Sequence, residues 1–150
     1  MKKNFFLIII FSLICNFAFA KDKYVGRGEL ILEDVDIEWF MKYLGPPAGQ
    51  SPMVFMVAAE DGKAIWSYYY YCPEGSCKNL NKLEATKRCA DSAEKYYKDK
   101  KDIECFIFAK ERVVVWDNDI NPAHWKKSAI KSKWSRSEVE SKLREFGFYN

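Results

Sequence analysis

Cysteine thiols are the groups in this chain with the clearest capacity for chemistry. Four of them, Cys72, Cys77, Cys89 and Cys105, lie between residues 72 and 105. Thiols can form disulfides, bind zinc or exchange redox equivalents. Thioredoxin-like redox sites separate their cysteines by two residues, whereas Cys72 and Cys77 are separated by four, and no Cys-x-x-Cys zinc knuckle is present. We therefore expect structural disulfides, with no bound metal and no cofactor.

The N-terminal segment indicates the compartment in which these thiols exist. Two lysines precede an apolar run over residues 5–17, and Ala18 and Ala20 provide the small residues of a cleavage site. This pattern predicts a secretory signal peptide, residues 1–20, cleaved after Ala20. As a membrane anchor the run is short, because a spanning helix needs about 20 apolar residues. We expect a periplasmic or secreted mature chain, in which Cys15 is lost and disulfides persist.

The mature chain, residues 21–150, has the length of a single domain. It retains 22 basic and 21 acidic side chains, a net charge of +1, because Lys2 and Lys3 leave with the leader. Such a balance gives no overall field that would attract nucleic acid, and no transmembrane span is expected after cleavage.

Four cysteines allow three disulfide connectivities, and the sequence alone does not choose among them. Cys72 and Cys77 flank a tight Pro-Glu-Gly-Ser loop, whereas Cys89 lies in a helical pattern and Cys105 begins the next strand. This arrangement favours pairing 72 with 77 and 89 with 105. The second bridge would join helix to sheet and stabilise the domain by about 2 to 4 kcal/mol.

Catalytic patterns are weak. His124 is the only histidine, and Ser128 with Lys131 matches the Ser-x-x-Lys spacing of acyl-transfer enzymes without the companion motifs. Residues 117–121 alternate oxygen-bearing side chains as a calcium loop does, but Pro122 replaces the turn glycine. We therefore predict no catalytic residue and no metal ligand, and a polar loop at 117–121.

Two groups of residues are candidates for ligand binding. Trp125, Lys126, Lys127 and Lys131 belong to a segment without acidic residues that could bind anionic lipid headgroups or a polyanionic polymer. The alternative is a solvated basic surface whose tryptophans anchor the loop and the last helix.

The second candidate group is aromatic. Trp66, Tyr68 and Tyr70 alternate along one strand and could stack on a sugar or contact a peptide. Aromatic residues are also favoured in strands for packing alone, and this alternative stays open.

The elements that position these residues begin with a strand over 28–33, with Leu30 and Leu32 on one face, and a short helix from Asp34. In that helix Val35, Trp39 and Tyr43 recur at four-residue spacing and predict a buried stripe, and the apolar surface is widened by Ile37, Phe40, Met41 and Leu44. Two β-rich runs, 53–59 and 63–72, surround Asp-Gly and predict a hairpin with a two-residue turn.

The second half of the chain continues with a helix over 80–97, whose predicted inner stripe includes Leu83, Cys89 and Ala93. Short strands follow over 105–109 and 113–116. The final helix is predicted to begin with a capping box of Ser135 and Glu138 and a hydrophobic staple that pairs Trp134 with Val139. It is predicted to end before Gly147.

The run from residue 57 to 116 resembles a module of small secreted bacterial proteins of unknown function. The resemblance lies in the Asp-Gly hairpin, the aromatic strand 66–71, the Ala-rich helix with Cys89, and a strand that starts with Cys105 and leads to Val-Val-Trp. It covers under half of the chain. It implies a helix-to-strand bridge between Cys89 and Cys105, and it adds no catalytic residue.

Together these patterns predict a single α+β domain. Its core is a small, mostly antiparallel sheet of ββαββ order with a helix packed on one face, extended by an N-terminal strand and helix and a C-terminal helix. The expected role is a non-catalytic binding or cell-envelope-associated protein, whose partner would be an anionic envelope lipid, a glycan or an envelope protein. The alternative is a small envelope hydrolase with a site that its sequence does not reveal.

Overall fold

A computed structural model describes residues 22–72 and 80–150 of the chain. In these ranges the helices are α1 (Asp34–Leu44), α2 (Lys82–Tyr96) and α3 (Arg136–Glu145). The strands are β1 (Ser51–Glu60), β2 (Lys63–Cys72), β3 (Cys105–Lys110) and β4 (Val113–Val114). They form an antiparallel sheet in the order β2-β1-β3-β4, so the predicted α+β class is confirmed. The predicted signal peptide and Cys77 lie outside the described residues.

The predicted hairpin is present with the expected turn. Glu60 pairs with Lys63, and the two residues between them, Asp61 and Gly62, have φ angles of 50° and 74°. Two consecutive positive φ angles are the requirement of the two-residue turn that matches the twist of a hairpin, and Asp-Gly tolerates them well. The long β1–β2 ladder therefore follows from local sequence.

The strand predicted over 28–33 is reduced to isolated bridges. Ile31 bridges to Lys63, and nearby Val25 and Arg27 make single parallel bridges to β3 and to Asp117. The predicted inward pair is correct, since Leu30 and Leu32 are both buried. This segment crosses several strands in turn, and it therefore forms no continuous ladder with any of them.

Helix α1 occupies the predicted stretch, with Glu33 and not Asp34 as its N-cap, and most of its predicted apolar surface is buried. Two residues of the four-residue stripe, Val35 and Trp39, are exposed, whereas the buried residues are Asp36, Ile37, Phe40, Tyr43 and Leu44. A spacing of four residues advances by about 40° more than a full helical turn, so a stripe at that spacing rotates away from the core.

The sheet is buried on both faces, which divides the core into two clusters. Alternate residues of β1 face opposite ways: Phe55 and Val57 join the cluster of α1 and α3, while Val54, Met56 and Ala58 join that of α2. Phe108 packs edge-on against Phe148 on the α1 and α3 side, with ring centroids 5.0 Å apart. The domain thus has three layers, with α2 on one face of the sheet and α1 and α3 on the other.

Helix α2 is joined to the sheet covalently. Cys89 of α2 and Cys105 of β3 form a disulfide, which confirms that predicted pairing. The buried stripe of α2 is Ala85, Cys89 and Ala93, whereas the predicted inner residue Leu83 is exposed. Cys72 is also disulfide-bonded. The predicted partner of Cys72 is outside the described part of the chain, so the 72–77 pairing stays a prediction.

Helix α3 starts and stops as its sequence predicts. Ser135 and Glu138 form the capping box, in which the Glu138 carboxylate accepts the Ser135 backbone N–H at 2.7 Å. At the other end Gly147 has a φ of 75°, and Phe148 N donates to Leu143 O at 2.8 Å. This is the Schellman arrangement, and it turns Phe148 back into the core.

Candidate functional site

A groove of about 520 Å³ runs along the free edge of the sheet, where β2 is the last strand. Residues 65–69 of β2 form its floor. Both alternating sets of β2 side chains line it, so the groove follows the edge and does not lie over one face alone. The walls come from the two helices on opposite faces: Val35, Asp36 and Trp39 from α1, and Ser92, Tyr96 and the adjoining Tyr97 from α2.

The floor of the groove exposes backbone hydrogen-bonding groups. In an antiparallel ladder the hydrogen-bonded pairs alternate with pairs whose N–H and C=O groups point away from the partner strand. Glu60 and Lys63 flank the two-residue turn as a hydrogen-bonded pair, and counting from them past the irregularity at Ala58 and Ala59 makes Tyr68 with Met56 and Tyr70 with Val54 hydrogen-bonded pairs. The alternation turns the backbone of Ser67, Tyr69 and Tyr71 towards the free edge. Nearer the turn, the outward N–H of Ala64 donates to Ile31 O at 2.9 Å. The next carbonyl along the edge, Ile65 O, accepts the Tyr97 hydroxyl at 2.7 Å. Among the described residues the backbone groups of Ser67, Tyr69 and Tyr71 have no such partner outside β1, so the open part of the edge begins at Ser67.

The walls are aromatic and partly exposed. Trp39 packs against Tyr69 with ring centroids 5.9 Å apart, and on the other side Trp66 packs against Tyr96 at 5.0 Å. Val35 is 53% exposed, Trp39 42% and Tyr96 67%. Large apolar side chains from two separate helices thus meet on one concave surface. A concave aromatic surface of this kind is a candidate site for contact with another molecule.

A buried carboxyl group lies at the α1 side of the groove. Asp36 Oδ1 accepts a hydrogen bond from Ser67 Oγ at 2.6 Å, and its Oδ2 accepts the Glu33 backbone N–H at 2.9 Å. Burial raises the pKa of Asp36, and these two hydrogen bonds oppose the shift in part. The contact between Asp36 and Ser67 fixes α1 to the outer strand.

The structure places the aromatic residues predicted from sequence at two different sites. Trp66 and Tyr68 line the groove, and the Trp66 indole N–H has no hydrogen-bond partner among the described residues. Tyr70 lies further along β2, in a shallow depression with Arg88 under the start of α2. The candidates predicted from sequence include neither Trp39 nor Tyr96. The spacing of Trp39 predicts a buried position in α1, and no sequence pattern distinguishes Tyr96 from the other residues of α2. Only the position of β2 between two helices makes these residues neighbours.

The basic group predicted from sequence lies at the opposite edge of the sheet. Ala129 bridges to Val113 of β4, which is the edge strand farthest from β2. Trp125, Lys126 and Lys127 are exposed on the loop before this bridge, and Lys131 is exposed after it. The aromatic and basic candidates are therefore two separate surfaces.

The histidine and serine of this loop do not form a nucleophile and base pair. Ser128 is fully buried, and its hydroxyl donates to Asn121 Oδ1 at 2.8 Å while accepting the backbone N–H of His124. His124 is exposed, and its Nδ1 accepts the Lys126 backbone N–H at 3.3 Å. The contacts of Ser128 therefore hold the loop closed.

The 117–121 loop is organised by its own amides. Asn118 Oδ1 accepts the backbone N–H groups of Ile120 and Asn121, and Asn121 Nδ2 donates to the carbonyls of Val114 and Trp116. Across residues 22–72 and 80–150, no three His, Cys, Asp or Glu side chains are grouped as metal ligands would be. No helix in the same ranges has the length and apolar character needed to cross a bilayer.

Comparison with known proteins gives no relative: no family model, no curated protein and no solved structure matches this chain. The resemblance to small secreted bacterial proteins thus stays a prediction, and any functional assignment depends on the groove and the basic loop themselves.

Proposed function

We propose that the mature chain is exported to the periplasm or beyond and acts there as a non-catalytic binding protein of the cell envelope. The groove along β2 is its ligand site, and its ligand is an extended polypeptide segment. The observation that carries this proposal is the position of the open β2 edge between two aromatic walls. The leader pattern and the Cys89–Cys105 disulfide support the compartment.

A peptide in extended conformation matches both components of the groove. Its backbone can pair with the outward N–H and C=O groups of Ser67, Tyr69 and Tyr71, as in β-strand addition. Its alternate side chains would then contact the α1 wall at Trp39 and the α2 wall at Tyr96. A free sheet edge is commonly blocked by charge or proline, and residues 64–72 of β2 contain neither.

The proposal is tested by selection from a random heptapeptide library on the immobilised, oxidised protein. A Trp39→Ala/Tyr96→Ala double variant, which removes one ring from each wall, is selected in parallel. Trp125→Ala, on the distant loop, serves as the matched control. We expect enrichment on the wild type and on the control, and at least tenfold weaker binding of the selected peptides to the double variant.

Backbone methylation of a selected peptide tests the strand pairing directly. Only one alternating set of peptide N–H groups can face β2. Methylation of that set should abolish binding, and methylation of the other set should leave it within about threefold. Equal binding of both methylated forms, or no enriched peptide, would overturn peptide addition. Binding of an envelope oligosaccharide that depends on Trp39 and Tyr96 would instead assign the groove to a glycan.

A further inference from the structure

The loop at the β4 edge has a rigid, buried base. Asn121 and Ser128 are both buried and are joined by a side-chain hydrogen bond of 2.8 Å. The Ser128 backbone N–H donates to His124 O at 2.8 Å, and the Asn121 amide also bonds to the carbonyls of Val114 and Trp116. The residues between Asn121 and Ser128 are therefore held outwards by a fixed support. We call residues 122–127 the tip loop.

Every residue of the tip loop is exposed, including its tryptophan. The Trp125 side chain is 64% exposed, with the His124 ring stacked 6.1 Å from it and Lys126 Nζ 4.9 Å from the ring centroid. Ile120, just before the base, is 62% exposed. An indole that is mostly exposed contributes little to folding stability, because it removes little apolar area from water. Trp125 differs in this respect from Trp134, which packs partly against the core.

A second pair of lysines follows within a short distance. Residues 128–130 anchor the chain to β4, and Lys131 and Lys133 are exposed immediately after them. Three residues of extended chain span roughly 10 Å, so both lysine pairs emerge from the same sheet edge. Among the described residues, none of the four lysines of this segment makes a salt bridge, namely Lys126, Lys127, Lys131 and Lys133.

The nearby acidic groups offset this positive charge only in part. Glu138 accepts the Ser135 backbone N–H within its capping box and also interacts electrostatically with Lys131, and Asp119 is an exposed carboxylate beside the loop. Arg136, the next basic residue, differs from the four lysines because Glu140 and Asp34 bind its guanidinium. Lys126 thus lies beside Trp125, and Lys131 Nζ is 5.8 Å from the Trp134 ring centroid, so the positive charge of the segment accompanies both of its tryptophans.

From this arrangement we propose that the tip loop and the two lysines that follow it dock the protein on an anionic lipid bilayer. The lysines face the headgroup phosphates, and the Trp125 indole settles at the boundary between headgroups and acyl chains, where amphipathic rings are favoured. The charge complementarity selects an anionic bilayer over a zwitterionic one. This contact is peripheral, and it leaves the β2 groove at the other edge of the sheet free.

The test uses the mature, oxidised chain and vesicles of equal parts phosphatidylglycerol and phosphatidylcholine, with pure phosphatidylcholine vesicles for comparison. Lys126→Glu/Lys127→Glu reverses two charges of the segment. Lys95→Glu/Lys98→Glu makes the same charge change on exposed residues in and after α2. Since each lysine near an anionic surface strengthens binding about fivefold, we expect the first variant to bind at least roughly 25-fold more weakly and the second within about threefold.

Insertion of the indole is measured by quenching of tryptophan fluorescence with brominated lipid. Quenching is expected in the wild type and should be largely lost in Trp125→Phe, which removes only that indole. The proposal is overturned if pure phosphatidylcholine vesicles bind as well, if both charge-reversal variants lose binding equally, or if Trp125→Phe is quenched like the wild type. Binding to soluble polyphosphate with none to either vesicle would also overturn it, because the partner would then be a polyanion and not a bilayer.

Discussion

Gly26 lies directly against the indole ring of Trp116. A Cβ atom built on Gly26 would come within 2.0 Å of the ring carbon Cε3, a distance at which atoms overlap. Trp116 is itself buried, and its indole N–H donates to Gly28 O at 2.9 Å. The N-terminal segment can therefore cross β3 only because residue 26 has no side chain.

Gly26→Ala is expected to lower the free energy of unfolding by at least about 2 kcal/mol, because the Trp116 ring cannot move without losing its hydrogen bond and its packing. Gly45→Ala is the matched control: its Cβ would lie 3.6 Å from the nearest atom, Met41 O, an ordinary contact. Urea denaturation of both variants measures the difference. Equal stability of the two variants would show that the Trp116 ring can move to another position without loss of stability.

The sequence predicted those features whose determinants are adjacent in the chain. Asp61 and Gly62 specify their turn by themselves, and Ser135 with Glu138 caps α3 through contacts three residues apart. Cys89 and Cys105 are farther apart, but the helix and strand that carry them are sequential and pack together. In each case the residues that form the sequence pattern are also the residues that make the predicted contact, and they lie close together in the chain.

The groove could not be predicted in this way. Trp39 is apolar and lies at helical spacing from Tyr43, so it matches a core position in sequence as well as Tyr43 does. The two residues differ in their contacts: Tyr43 packs against Phe55 of the inner strand β1, whereas Trp39 lies beside the edge strand β2 and packs against Tyr69. That difference depends on β2 being the edge strand, which is a property of the sheet order and not of α1.

The Asp36 carboxyl group should make stability fall as pH rises. Its native pKa is raised by burial above the ordinary value of 3.8, so the folded protein binds this proton more tightly than the unfolded chain does. The stabilisation from this group is complete below pH 3.8 and is lost as pH rises through the native pKa. Asp36→Asn does not titrate, so its stability relative to wild type should improve across that window.

Urea denaturation of wild type and Asp36→Asn over a series of pH values measures this linkage. Asp91→Asn, on the exposed side of α2, controls for the loss of one negative charge elsewhere. A difference between wild type and Asp36→Asn that stays constant with pH would contradict the assignment.

The Cys89–Cys105 bridge closes a loop with a sequence separation of 16 and joins α2 to β3. Its removal in Cys89→Ala/Cys105→Ala should cost about 3 kcal/mol, chiefly because the unfolded chain gains freedom. A lowered urea midpoint at neutral pH without reductant measures the loss. Reductant should then lower the midpoint of the double variant further, because Cys72 is also disulfide-bonded. An unchanged midpoint in the double variant would show that the bridge contributes no stability.

Asp22 should give the opposite pH dependence to Asp36. Its Oδ2 accepts from Lys82 Nζ of α2 at 2.5 Å and from Lys110 Nζ of β3 at 3.1 Å, and its Oδ1 accepts the Tyr24 backbone N–H. Burial favours a higher pKa, but the three donors outweigh it and lower the pKa of Asp22 to about 2. The carboxylate therefore ties the N-terminal segment of the described domain to both a helix and a strand.

Because this pKa is lower in the folded state, the stabilisation is complete above pH 3.8, the ordinary value, and is lost as pH falls through about 2. Solvent screens the partly exposed pair, so Asp22→Asn should cost only about 1 kcal/mol at neutral pH. The cost should shrink as urea titrations are carried to lower pH, and added salt should reduce it at neutral pH. A cost that persists unchanged at pH values near 2 would mean that packing of the side chain, and not its charge, holds the N-terminal segment in place.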